Sequence, residues 1–208
     1  MQEIGDKLRY KKIGSGTVID IVSRKFCGQD RQFIVIEFPH RAMKAQLPAG
    51  DPKITKNLFP VTERKALEAM IQHMHSQGKL LARTWNIRKE AGEEVISEGG
   101  PCEWIELLGS YSVAKGAGVP ITASDKTLVE NLIDLIAAEF CCASGKNFEE
   151  SKEIIGLYYE DAAKKISQTD YQAEHFETME AIPKLKRPTT LIRAEGRLRK
   201  FAKPIAVS

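Results

Sequence analysis

Residues 79–92, KLLARTWNIRKEAG, contain a tryptophan surrounded by cations. The basic residues near Trp85 are Lys79, Arg83, Arg88 and Lys89. Cationic side chains contact nucleic-acid phosphates, and an aromatic ring can enter the minor groove as an apolar wedge. These residue types are therefore compatible with a nucleic-acid contact built around Trp85.

The same segment could instead bury its tryptophan in a core. On a helix, an inward stripe would be formed by Leu80, Thr84, Ile87 and Ala91. Trp85 would lie about 100° around the helix from Thr84, at the margin of that stripe. Spacing alone leaves both interpretations open: a ring packed in the core, or an exposed ring that binds a partner.

Residue sets for catalysis or metal binding are scarce. His73 and His75 are two residues apart and would point to different faces of a helix, which makes a poor metal site. No GxSxG, HExxH or P-loop pattern occurs, and the four cysteines show no CxxC spacing. We expect no enzymatic activity, no metal and no cofactor. A cysteine hydrolase would require a thiolate of low pKa at Cys27 or Cys102.

Charge is distributed unevenly along the 208 residues. Residues 184–208 carry eight Lys or Arg and one Glu, a net charge of +7, so the remaining 183 residues carry −4 of the total of +3. A basic tail on a mildly acidic body favours a polyanionic partner, although a solvated tail or a membrane surface is compatible with the same composition. We expect an intracellular protein, because no signal peptide or membrane span is visible.

The periodicity of apolar residues divides the chain into three predicted parts. Residues 1–60 show short, β-branched, partly alternating runs that predict four or five strands, with Gly28 in a tight hairpin, and so a small SH3- or Tudor-like barrel. Residues 61–167 change to a period of 3.6 and predict a bundle of five helices. Residues 168–208 read as a linker followed by the basic tail. The predicted class is α+β, with Trp104 and the helical cysteines Cys141 and Cys142 in the core.

The order of these features resembles a known family. IGDKLRY, then GSGTVIDIVSRKFCGQDRQFIVIEF, then MKAQLP is similar to the N-terminal module of the CarD/CdnL family of bacterial transcription regulators. That module also occurs in the transcription-repair coupling factor. The helical part, with LARTWNIRKE and the later run LIAAEF, is similar to CarD/CdnL as well, so that the resemblance covers about residues 4–165.

The resemblance implies a function and a set of site residues. In that family the barrel docks on the β subunit of RNA polymerase by an edge-strand contact, and the helical domain reaches promoter DNA at the upstream edge of the transcription bubble. The polymerase-binding positions would be Arg24, Lys25, Phe26 and Gln46, and the DNA-binding positions would be Arg83, Trp85, Arg88 and Lys89. Trp85 matches the tryptophan that enters the minor groove at the fork. We therefore expect a monomeric, cytoplasmic, nucleoid-associated regulator that binds no membrane.

The sequence departs from the family pattern at two positions, and two other functions are alternatives to this expectation. Tyr10-Lys11 replaces a usual Tyr-Pro step, and Gln46 stands where an arginine often helps to grip the β subunit. One rival is a DNA-binding module that never touches polymerase. The other is a protein-interaction scaffold with no DNA role.

Overall fold

The computed structural model describes residues 2–165 apart from 12, 80 and 83, and all of these lie in one compact unit. The strands are β1 Lys7–Tyr10, β2 Gly14–Phe26, β3 Gln29–Phe38, β4 Met43–Pro48 and β5 Leu58–Pro60. The helices are α1 Pro52–Thr55, α2 Arg64–Gln72, α3 Met74–Gln77, α4 Trp85–Glu98, α5 Pro101–Gly116, α6 Ala123–Ser144 and α7 Phe148–Lys164, with a 3-10 turn at Pro39–Arg41. Residues 168–208, which include the basic tail, lie outside the described residues.

The strands form one antiparallel sheet in the order β4-β3-β2-β1-β5. A two-residue loop joins β2 to β3, and both of its residues have positive φ, 50° at Cys27 and 79° at Gly28. Such a loop matches the right-handed twist of the flanking strands, and glycine adopts positive φ without steric cost. The hairpin predicted around Gly28 is confirmed.

The α+β class is also confirmed, because this sheet is followed by several helices. One face of the sheet encloses a small core of Val18, Ile34, Ile36 and Phe38. β4 and β5 stand at opposite ends of the strand order, and no pairing between them closes the described part of the sheet. The Tudor-like barrel and the division into domains at residues 60 and 61 stay predictions.

The helices enclose a second, larger core that is centred on α5 and α6. Trp104 is buried there, as predicted, and its indole Nε1 donates a hydrogen bond to the carbonyl oxygen of Val95 at 3.1 Å. Glycines permit close helix approach at two places: a Cβ on Gly109 would lie 2.3 Å from the Met74 carbonyl oxygen, and one on Gly92 would lie 2.1 Å from Leu128 Cδ1. Among the described helices, none has the length and apolar character to cross a bilayer.

The predicted inward stripe of the 79–92 segment is wrong. Helix α4 begins at Trp85, and Thr84, Ile87 and Ala91 are exposed, whereas Arg88 and Gly92 face the bundle. The physical reason is that α4 packs against α6 at two positions. Gly92 has no side chain and allows close approach, and Arg88 forms a buried ion pair. Glycine and arginine do not count as apolar residues, so a search for apolar periodicity misses both contacts. Leu80 lies outside the described residues.

A fully buried carboxylate joins the sheet to the helices. Glu139, on α6, accepts hydrogen bonds from Arg9 Nη1 at 2.9 Å, from the backbone N–H of Thr62 at 2.7 Å and from the hydroxyl of Ser15. The Arg9 guanidinium lies 5.6 Å from the ring centroid of Phe59 and 5.9 Å from that of Trp104. Because three donors from β1, β2 and the segment before α2 converge on one group, their positions relative to α6 are coupled.

Substitution of this carboxylate tests the coupling. We expect Glu139→Gln to lower the free energy of unfolding by about 3 kcal/mol, because loss of one member leaves a largely buried Arg9 without its counter-charge. Urea unfolding followed by circular dichroism measures the change. Glu68→Gln is the matched control, since Glu68 pairs with Arg64 on the surface of α2, and it should change stability by less than about 0.5 kcal/mol. Equal effects of the two substitutions would contradict the central place given to Glu139.

Candidate nucleic-acid and protein interfaces

Trp85 is an exposed aromatic residue at the start of a helix. It is the first residue of α4, 46% of its surface is accessible, and Ile87 beside it is 55% accessible. The predicted alternative of a core tryptophan is therefore excluded. Thr84 precedes the helix, and its side chain makes no capping hydrogen bond. The Trp85 indole thus lies at the end of α4 where the helix dipole is positive and favours anions.

Arg88 lies one turn into the same helix but is buried. Its Nε donates to Asp125 Oδ1 at 3.1 Å, and its Nη2 donates to Asp125 Oδ2 at 2.8 Å, so the pair is bidentate. Its Nη1 donates to the Ala82 carbonyl oxygen at 2.9 Å. The structure therefore places the guanidinium, which we expected to contact phosphate, against the interior of the protein.

Asp125 receives further donors from two other elements. The Tyr111 hydroxyl on α5 donates to Oδ1 at 3.1 Å, and Thr122 donates to Oδ2 through its N–H at 2.9 Å and its hydroxyl at 2.7 Å. Burial disfavours the charged carboxylate, but the hydrogen bonds from Arg88, Thr122 and Tyr111 outweigh it and hold the pKa of Asp125 well below its ordinary value. Burial, and next the negative charge of Asp125, raise the pKa of Tyr111. We call Arg88, Asp125, Tyr111 and Thr122 the α4 clasp.

The segment that leads into α4 is attached to α5. The backbone N–H of Lys79 donates to Ser110 Oγ at 2.8 Å. Gly78 lies so close to α5 that a Cβ there would be 2.6 Å from the carbonyl carbon of Gly109. Both ends of the 79–84 segment are thus held by the bundle, one at α5 and the other at the α4 clasp.

The remaining predicted DNA-contacting cations differ in their surroundings. Lys89 is on the surface, with its Nζ 3.7 Å from Glu93 Oε1, and Lys79 is on the surface in an ion pair with Glu106. Arg83 lies outside the described residues. A cleft of about 430 Å³ between α4 and α5 is lined by apolar side chains such as Leu81 and by two acids, Glu103 and Glu106.

The predicted polymerase-binding residues lie on the β2–β3 hairpin and on β4. Arg24 pairs with Arg31 across the hairpin, and Gln46 on β4 pairs with Val35. Because side chains alternate between faces along a strand, Arg24, Arg31 and Gln46 share one face, which we call the outer face. Lys25 pairs with Asp30 and belongs to the opposite face.

Phe26 ends β2 and pairs with Gln29; its side chain lies outside the described residues. Sequence reasoning missed Arg31, although the two-residue loop at Cys27 and Gly28 fixes the register and would have placed Arg31 opposite Arg24.

The outer face adjoins edges that can accept another strand. Among the strands that the structure describes, β4 pairs with β3 alone, and its exposed residues alternate along the strand. Within the described residues, no strand pairs with 19–26 of β2 on the side away from β3, because the register with β1 ends at Thr17. Exposed edges of this kind can be extended by a strand from a partner protein.

In the part of the chain that the structure describes, no group of three or more His, Cys, Asp or Glu side chains is placed to hold a metal ion. Cys142 is buried as predicted, and burial raises the pKa of its thiol to about 12. A thiol with such a pKa is a weak nucleophile at neutral pH. Cys27 and Cys102 are exposed.

The low pKa of Asp125 predicts how stability depends on pH. The unfolded carboxyl titrates near pH 4, so the stabilisation from this group is present above that pH and is lost as the pH falls toward the lower folded pKa. We expect Asp125→Asn to cost about 3 kcal/mol at pH 7, because it leaves Arg88 buried without its counter-charge. Below about pH 4 the difference from wild type should shrink.

Urea unfolding at several values between pH 7 and pH 2.5 measures this difference. The control is Glu93→Gln, which removes an exposed partner of Lys89 and should leave the unfolding midpoint unchanged. A difference for Asp125→Asn that stays constant down to pH 2.5 would show that folding does not lower the pKa of Asp125.

Comparison with known proteins gives one informative similarity. No family model matches the chain. The chain is similar to a protein of Bacillus subtilis (strain 168) named "Putative transcription factor YdeB", with 26% identity over 142 residues. The aligned region covers 67% of this chain and 90% of that protein.

Proposed function

We propose that the chain is a transcription regulator that binds the β subunit of RNA polymerase and stabilises the open promoter complex through promoter DNA, with no catalytic step of its own. The name of the similar Bacillus subtilis protein supports a role in transcription. The family resemblance described above supports the choice of partners.

One observation carries the DNA part of the proposal. The indole of Trp85 is exposed at the first turn of α4, and surface Lys89 lies one turn further along on the same side of the helix. Apolar side chains that enter the minor groove unstack a base step, which costs a few kcal/mol, and the same wedge stabilises DNA that is already distorted. A wedge at the upstream fork would therefore favour melted DNA without reading its sequence.

The outer face and its neighbouring edges support the polymerase part. Main-chain hydrogen bonds from an added strand supply affinity, and side chains that flank the edge select the partner. Arg24 and Arg31 stand directly opposite one another and place two cations on the outer face. An acidic group on the partner would complement that charge.

Attachment to polymerase explains how a weak DNA contact becomes effective. A protein held beside the promoter presents its indole at a high effective concentration, so the DNA contact itself needs little affinity. The basic tail at 184–208 adds nonspecific attraction to phosphates in this proposal. The protein then acts as a monomer in the cytoplasm, on the nucleoid.

Removal of the indole tests the DNA part. We expect Trp85→Ala to shorten the lifetime of open complexes by about tenfold, which corresponds to part of the unstacking cost. It should lower the free energy of unfolding by about 1–2 kcal/mol, less than the loss of a buried tryptophan, because 46% of the residue's surface is already exposed. Competitor-challenge assays on a supercoiled promoter measure the lifetime, and urea unfolding measures the stability.

Trp104→Ala is the contrasting variant, because Trp104 is buried and should cost about 3–5 kcal/mol of stability. Should Trp85→Ala destabilise the fold and leave open complexes unchanged, the protein-interaction scaffold would be the better account.

Reversal of charge on the outer face tests the polymerase part. We expect Arg24→Glu, in the full chain, to abolish capture of the β subunit, because it replaces the cation that faces an acidic partner. Lys25→Glu makes the same charge change one residue away on the opposite face and should weaken capture much less. Wild-type protein that captures no β subunit but binds DNA would favour the module that acts without polymerase.

A further inference from the structure

We propose that Asp125 is the positioning residue for the DNA-contacting end of α4, and that Arg88 acts by holding that end and not by contacting phosphate. This inference rests on the proposed function, because it concerns the direction in which Trp85 points. It differs from the expectation drawn from sequence, in which Arg88 was one of the cations that grip DNA.

Arg88 follows Trp85 in the chain and is hydrogen-bonded to Ala82, which precedes it. Its Nη1 holds the Ala82 carbonyl oxygen, and its Nε and Nη2 hold Asp125. Trp85 lies at the middle of the 82–88 stretch that this side chain spans. The hydrogen bond between Arg88 and Ala82 therefore makes the start of α4 a short closed loop of the chain, and the exposed indole belongs to that loop.

Asp125 is also held by donors outside α4. Tyr111 donates to it from α5, and Thr122 donates to it twice from the residue that caps α6. All of these partners sit at a site where Asp125 is 4% and Tyr111 0% accessible. Hydrogen bonds to a charged group are strong in such surroundings, so the carboxylate is a well-defined reference point.

Little else anchors the first turn of α4. Thr84, Asn86 and Ile87 are exposed, and the side chain of Thr84 does not cap the helix. The next close contact with α6 is at Gly92, which lies one turn further along. Helix ends without caps or packing fray readily. Loss of the clasp should therefore loosen the turn that carries Trp85 and leave the remainder of α4 in place.

The same contacts argue against a phosphate role for Arg88. Nε, Nη1 and Nη2 each donate to a protein oxygen, and the side chain is 8% accessible. A phosphate would have to draw the guanidinium out and leave Asp125 buried without a counter-charge, which is costly. Lys89, with about half of its side chain accessible, is the better phosphate contact.

Salt dependence of DNA binding separates the two roles. The logarithm of affinity falls with the logarithm of salt concentration in proportion to the number of phosphates contacted, with a slope of about −0.9 per contact. We expect Arg88→Lys and Asp125→Asn each to weaken binding of the full chain to a fork-junction duplex by about tenfold with an unchanged slope. Lys89→Gln should reduce the slope by about 0.9.

The double variant and a matched control complete the binding test. Arg88→Lys combined with Asp125→Asn should be no weaker than either single variant, because both break the same contact. Asp134→Asn removes another carboxylate of α6, which pairs with Lys152 at 2.7 Å on α7, and should leave DNA binding unchanged. Retained affinity in Arg88→Lys, or a lower slope in either clasp variant, overturns the inference.

A measurement without DNA keeps the inference testable if the proposed function fails. Incorporation of 5-fluorotryptophan gives two fluorine NMR resonances, one for Trp85 and one for Trp104. In Asp125→Asn the Trp85 resonance should broaden or shift, while that of Trp104, bonded to Val95 near the other end of α4, should stay in place. Wild-type protein that binds no fork junction would refute the DNA role alone, whereas an unchanged Trp85 resonance would refute the clasp.

Tyr111→Phe is a milder variant that tests the inference if Asp125→Asn does not fold. It removes one hydrogen bond to Asp125 and keeps both the ring and the ion pair. We expect an effect on the Trp85 resonance in the same direction as that of Asp125→Asn but smaller, with a loss of DNA affinity of about threefold. No effect in this folded variant, on either the resonance or the affinity, counts against the inference.

Discussion

The structure depends on a carboxylate that has no access to water. Arg9, Ser15 and Thr62 all donate hydrogen bonds to the buried carboxylate of Glu139, and a buried charge without such partners costs several kcal/mol. Those donors belong to the sheet and to the segment that follows it, whereas Glu139 belongs to α6. A sheet that docked in another position would leave the charge unsatisfied. The ion pair therefore selects one arrangement of sheet and helices, even where its net contribution to stability is modest.

Asp125, near the other end of α6, is likewise a buried carboxylate that needs donors from several elements. Its donors come from α4, α5 and the cap of α6, so it determines where α4 can begin. Apolar packing supplies the bulk of the bundle core, but apolar contacts are not directional. The hydrogen bonds of the two acids are directional. Those of Glu139 orient the sheet that carries the outer face, and those of Asp125 orient the turn that carries Trp85.

Local patterns predicted most of the architecture. Alternation predicted the strands, the loop at Gly28 predicted the hairpin, and the apolar face around Trp104 predicted a core helix. The face of α4 was mispredicted because apolar periodicity treats arginine as a surface residue. Arg88 is buried only because Asp125, 37 positions later in the chain, meets it, and such a partner is invisible to a local pattern. Gly92 was the available signal, since a glycine inside a helix often marks a close approach.

Helix α6 also sets a distance between the two acids. Asp125 and Glu139 are fourteen positions apart on one uninterrupted helix, which corresponds to about 21 Å and nearly four turns. A single inserted or deleted residue between them would rotate one acid by about 100° relative to the other. Only one of the two could then meet its donors. The stretch 126–138 should therefore accept many exchanges of side chain on its outward positions but no change in its number of residues.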